Sequence, residues 1–291
     1  MNKIEIIFVG NSIIKRMNIL YQLPFPEVIC SKIFIFACKS PHNDMGGTIL
    51  IKHIGFDLYR KLARSIVLDG DGYVVEFRVW KQGKGWLLKS YERNQLTFDI
   101  VHLKSLPKLS EIGLGNTGIS GNIAHLKSLP KLSEIHLSDT SVTGDIAHLK
   151  SLQKLIEINL SHTGVSGNIS HLKSLHNLTD IWLGNTGISG DIIHLKSLMN
   201  LTNIWLNGTG VSGDIIHLKS LPNLRQISFG ETNVSGNIAH LESLWKLSWI
   251  DLNETGVMGN AYRLRSLKGL KYIDLDGTSV TEDFSEHKKL N

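Results

Sequence analysis

From His102 to Phe284 one phrase of 23 residues is written eight times. A threonine marks each copy: Thr117, Thr140, Thr163, Thr186, Thr209, Thr232, Thr255 and Thr278. A fixed period of this size leaves few choices. One such coil cannot bury its apolar side chains alone, so neighbours must stack into an array. In a typical copy the apolar places are Leu106, Leu109, Ile112, Leu114, Ile119, Ile123 and Leu126. Ile112 and Leu114 are two apart, the alternation of a strand with one buried face. Gly115, Asn116 and Gly118 then bend the chain away, and Ile119 to Leu126 returns along the other side. Strands stacked about 4.8 Å apart form a parallel sheet on one face. The expected fold is an α/β repeat solenoid, a curved stack with its parallel sheet on the concave face.

The run Thr117-Gly-Ile119-Ser-Gly121-Asn-Ile123, written again from Thr163 to Ile169, resembles the Asn-x-Leu-Ser-Gly-x-Ile-Pro tail of plant-type leucine-rich repeats. The resemblance recurs in register over roughly residues 86–284. It departs from the family in three ways: Thr stands for the family's buried Asn in all eight copies, the Pro after Ile is missing, and the repeat is one residue shorter on the convex side. In the family the Asn satisfies backbone groups in the turn. A Thr hydroxyl can do part of that work and turn its methyl inward. Regular Thr arrays also occur on ice-binding surfaces, but these threonines align with an inward position, so a structural ladder is expected. The register reaches back to Asn94, which makes Asn94 to Ile100 a worn first repeat with the family's Asn in place.

Four regions follow: a helical segment over 1–65, a capping hairpin and degenerate first repeat over 66–101, the repeats over 102–284, and a polar tail over 285–291. Pro24-Phe25-Pro26-Glu27 reads as a helix start. Ile51, Ile54, Leu58 and Leu62 mark a second amphipathic helix. Leu23 to Val28 with Ile33 to Phe36 is similar to the opening of an F-box, which would imply docking of residues 20–64 onto a ubiquitin-ligase adaptor. The Glu-to-Ile spacing is one residue too long and the later Cys-Lys-x-Trp portion is absent, so a plain helical cap stands beside that reading. Asp69-Gly70-Asp71-Gly72 is a hairpin turn, and Val75, Phe77 and Val79 alternate after it.

Cys30 and Cys38 are the two cysteines, and no cysteine pair flanks the array. Free thiols in a cytoplasmic protein are expected; a Cys30–Cys38 disulfide in an exported chain is the alternative. Asn-x-Ser/Thr sites such as Asn168, Asn177 and Asn207 mostly follow from the repeat columns. The N-terminus lacks a signal-peptide pattern, and no run of about 18 apolar residues suggests a membrane span.

Residues flanking the buried strand positions point to the concave face. One column reads Glu111, Glu134, Glu157, Asp180, Asn203, Gln226, Trp249, Tyr272, and the other reads Gly113, His136, Asn159, Trp182, Trp205, Ser228, Asp251, Asp274. Neighbouring carboxylates about 5 Å apart repel by under roughly 1 kcal/mol per pair in water. Trp182 and Trp205 fall side by side, and exposed aromatics beside charges mark interface anchors. The net charge of +5 comes mostly from convex lysines such as Lys104, Lys127 and Lys150. The candidate site is therefore Glu111, Glu134, His136, Glu157, Asp180, Trp182, Trp205, Trp249, Asp251, Tyr272 and Asp274. It suits a basic protein or peptide partner and disfavours nucleic acid. A second column, from His102 to His240 at 23-residue steps, offers a metal two neighbours at best where three or four must converge. No nucleophile–base pair or phosphate loop appears. The expectation is a monomeric, non-enzymatic binding scaffold with no cofactor and no metal. The alternatives are an F-box-type substrate receptor and an exported protein that binds a carbohydrate or cell-surface ligand through Trp182 and Trp205.

Overall fold

The computed structural model describes residues 66–69, 74–81, 85–86, 93–94 and 96–281. The 1–65 segment with its F-box-like stretch and both cysteines, the turn residues 70–73 and the 285–291 tail lie outside the described residues.

The repeats form a solenoid with two parallel sheets. The ten-stranded sheet starts with Ile66–Leu68, antiparallel to Val74–Arg78; every later strand adds in parallel, from Glu111–Gly113 to Tyr272–Asp274. Register follows the sequence period: Glu111 pairs with Glu134, Ile181 with Ile204, and Trp249 with Tyr272. The eight-stranded sheet runs from Ser120–Asn122 to Ser279–Thr281 along the return side of the coil. That second sheet was not read from the pattern of the repeat. After each return strand but the last comes one 3₁₀ helix, such as Ile123–Ser128 or Ile146–Leu149. Four to six residues are too few for a settled α-helix but suit the tighter 3₁₀ turn.

The return strand and the helix are joined by an Asn or Asp. Asn122 Oδ1 accepts from the Ala124 N–H at 2.8 Å, and Asp145 Oδ1 from the Ala147 N–H at 2.7 Å. Such a side chain satisfies one of the open donors at a helix start. The glycine before it is required twice over. Gly144 sits at φ +118°, and a Cβ there would run into the Asn122 carboxamide of the previous coil. Left-handed turns at Asn116, Asp139 and Asn185 (φ 53–55°) swing the chain from one sheet towards the other, a conformation that Asn and Asp tolerate better than most residues.

The core is one column per apolar place. In a single coil Leu129, Leu132, Ile135, Leu137, Val142, Ile146 and Leu149 are all fully buried, each worth roughly 1.5–3 kcal/mol of burial. The threonines point inward. Thr117, Thr140, Thr209, Thr232 and Thr255 are buried, and each Oγ1 donates to the carbonyl three residues back, as Thr117 does to Leu114 at 2.6 Å. The ladder is structural, and these hydroxyls present no face to solvent. Asn94 is a correction: it is exposed and helical, not a buried rung, while Leu96, Phe98 and Ile100 behind it do enter the core. The backbone is helical at Arg93 and Asn94, where the later copies place their threonine in a non-helical turn. Phe77 of the capping strand stacks on Phe98 at 6.1 Å and 3°, which covers the open end of the array.

Candidate binding face

The strands of the ten-stranded sheet turn Ile112, Ile135, Ile158 and their counterparts into the core. The residues on either side of each isoleucine therefore line the opposite, concave face, where the two predicted columns lie. The structure brings them together as two unlike clusters.

Towards the N-terminal end the cluster is ionic. Arg78, on the capping strand, reaches across Glu111, with which it makes a close ion pair, to Glu134 Oε2 at 2.8 Å. Glu76 lies 3.9 Å from the same guanidinium. His136 is buried, with Nε2 3.5 Å from Glu134 Oε2 and 3.4 Å from Glu157 Oε2. The neighbouring His136 imidazole holds the Glu134 carboxyl below its usual value; burial works against it and Arg78 reinforces it. Burial pulls the His136 imidazole down, but Glu134 and Glu157 together outweigh it and raise its pKa. The expected row of repelling carboxylates is thus relieved by a cation at one end and an imidazole in the middle.

Asp180 closes this half. It is buried, accepts from Thr179 Oγ1 at 2.5 Å and Thr202 Oγ1 at 3.4 Å, and takes a close contact from the Asn203 amide. Its lone pairs are largely committed within the sheet.

Towards the C-terminal end the cluster is aromatic. Trp205 and Trp249 stack at 6.1 Å and 22°, and Trp249 stacks on Tyr272 at 3.8 Å and 14°. Trp205 and Trp249 stand two strands apart. They meet because Ser228 between them is small and almost wholly buried. Trp182 and Trp205 are register partners, as predicted, yet the Trp182 ring tilts towards His136 at 6.3 Å and 38°. The indole N–H groups of Trp205 and Trp249 have no acceptor among the described residues. Carboxylates border the stack: Asp251 accepts from Ser228 Oγ at 2.7 Å, and Asp274 from the Tyr272 hydroxyl at 3.3 Å. Burial, then the charges of Asp274 and Asp251, push the Tyr272 phenol above its usual value.

Several solved structures match this architecture. A plant peptide hormone receptor, RGFR1 in complex with RGF2, is 27% identical with a TM-score of 0.57; the match covers 63% of this chain and 31% of that one. The Arabidopsis receptor kinase HAESA leucine-rich-repeat ectodomain, in complex with an N-terminally extended IDA peptide hormone, is 17% identical at TM-score 0.62, covering 79% of this chain and 46% of that one. A plant ice-binding protein is 18% identical at TM-score 0.59, covering 75% and 77%. This chain has the leucine-rich-repeat fold.

The leucine-rich-repeat chain spans under half the length of either receptor ectodomain. No protein-family model and no curated protein matches its sequence. The resemblance to the ice-binding protein concerns the fold, since the threonine column that suggested such a surface faces the core. No helix among the described residues is long and apolar enough to cross a membrane.

Reasoning from the repeats missed Arg78, because it stands outside them. Its signal was present: Glu76, Phe77 and Arg78 alternate, and Phe77 aligns with Ile112, so Arg78 had to share the face of Glu111. The second miss was the Glu134–His136–Glu157 group, whose potential ligand atoms all lie within 4.8 Å of one another. In the sequence the conspicuous set of potential metal ligands is instead the histidine column. Those imidazoles sit half-buried on the 3₁₀ side of the coil beside exposed lysines, and among the described residues they form no such group.

Proposed function

We propose that this leucine-rich-repeat protein is a binding scaffold that holds a basic protein or peptide on its concave face. The principal contact is the Trp205–Trp249–Tyr272 stack. The observation that carries this reading is the stack itself, three aromatic rings laid against one another on the partner-facing side of the sheet. The stack lies outside the apolar core, on the open face of the sheet, and aromatic anchors flanked by charge dominate interface energetics. Asp251 and Asp274 border the rings, so a lysine or arginine lying on the outer face of Tyr272 meets a π-face and the Asp274 carboxylate together. Support also comes from the receptor ectodomains, which are seen with peptide hormones bound.

The test is selection from a random peptide library against the full chain. Peptides enriched in arginine or lysine are expected, with binding weakened about tenfold or more by Trp249→Ala and by Asp251→Asn/Asp274→Asn together. Peptides without basic residues, or peptides that bind both variants unchanged, would contradict the assignment.

A further inference from the structure

We infer that Glu134, His136 and Glu157 form a site for a first-row divalent transition-metal ion of the zinc type. The three come from adjacent strands of the sheet. Glu134 and Glu157 are register partners, and His136 is two residues along from Glu134 on the same face. Parallel register and period-two alternation therefore deliver three donors to one spot without any loop. The geometry is that of a coordination shell. With metal–ligand bonds of about 2.0–2.1 Å, the edge of a tetrahedron is about 3.3 Å. The two edges that meet at His136 Nε2 measure 3.5 Å and 3.4 Å. Both exceed the roughly 2.7–2.9 Å of a charge-assisted N–H···O bond, and one Nε2 proton cannot point well at two carboxylates. The third separation falls within 4.8 Å, which rotation of two half-exposed glutamates can shorten.

Charge points the same way. Glu76, Glu111, Glu134 and Glu157 crowd round Arg78 and His136. With the imidazole neutral, four carboxylates face one guanidinium, and a dication offsets most of the excess. Arg78, donating to Glu134, then acts as an outer partner that orients a ligating carboxylate. The donor set selects the ion. Magnesium and calcium take oxygen shells, whereas a buried imidazole with two carboxylates suits zinc and its neighbours. Three protein ligands leave a position open on the concave face. A carboxylate or imidazole of a bound partner could fill it. The site itself does not depend on the peptide-binding reading.

The test uses the full, untagged chain carrying Cys30→Ser and Cys38→Ser, so that neither a tag nor a thiol competes. Zinc chloride is titrated by calorimetry, and cobalt chloride is followed by visible absorption. One equivalent of zinc is expected to bind, and cobalt is expected to give the intense d–d bands of a low-coordinate site. His136→Ala should abolish both signals. Glu157→Gln, a near-isosteric change at a partly exposed position, should weaken zinc at least tenfold. His171→Asn in the histidine column should leave both unchanged. Zinc bound equally by the parent and both concave-face variants, or lost with His171→Asn instead, would overturn the assignment. So would the absence of any zinc binding by the parent.

Discussion

The two ends of the concave face share one backbone and one register, yet differ in kind. At one end Arg78, Glu111, Glu134, His136 and Glu157 form ion pairs across neighbouring strands. At the other, Trp205, Trp249 and Tyr272 stack while Asp251 and Asp274 border them. In a stack with identical spacing at every step, the chemistry of a place is set by what lies one or two coils away. A carboxylate beside a guanidinium becomes part of an ionic network. A carboxylate beside the aromatic stack accepts from neutral hydroxyls instead, as Asp251 does from Ser228 and Asp274 from Tyr272.

The largest expected effect breaks both ends at once. Ile181 is fully buried between them, and Ile181→Ala should cost about 2–5 kcal/mol in urea unfolding. If each half held itself together, the loss would be far smaller.

Next, Arg78→Met separates the ends. It removes the one guanidinium shared by Glu111 and Glu134, whose side chains are only 21% and 23% exposed. A loss of about 1–3 kcal/mol is expected, shrinking modestly with salt because these charges are only partly exposed. Asp251→Asn at the other end should stay within about 0.5 kcal/mol. Equal losses for the two would erase the contrast.

Trp249→Ala tests the aromatic end. It should cost about 1–2 kcal/mol, mostly lost ring packing, and remove the near-ultraviolet circular dichroism of the coupled Trp205–Trp249 pair. Trp182→Ala should leave that signal in place. A signal that followed Trp182 would move the aromatic centre towards the ionic end.

The smallest effect is electrostatic. The Tyr272 phenol should ionise above the ordinary tyrosine value because of its burial and the nearby Asp274 and Asp251. Asp274→Asn should lower it, while burial and Asp251 continue to hold it up. Ultraviolet titration, with Tyr272→Phe to identify the signal among six tyrosines, measures the shift. A phenol unmoved by Asp274→Asn would mean that the carboxylate is too well solvated to matter.

The 23-residue period was enough to read the solenoid, the parallel sheet and the inward threonines. Periodicity says which residues share a column, and burial then follows from whether a column is apolar. It was not enough for the return side of the coil. Ser120–Asn122 and its equivalents are rich in Ser, Gly and Asn, residues with low strand preference. They pair only because the coil beside them offers a ready edge. Asn94 failed for the opposite reason: the spacing was right, but the backbone that carries it is helical and leaves its side chain exposed.

By itself, then, the sequence determined the architecture and the membership of the concave columns, because both are properties of spacing. Only the tertiary structure decided how members of different columns pair. It brought Arg78 over Glu111 and Glu134, tilted Trp182 towards His136, and carried Trp205 across Ser228 to Trp249. Those contacts depend on the reach and rotamers of long side chains over neighbouring strands, and a repeat period contains no information about either.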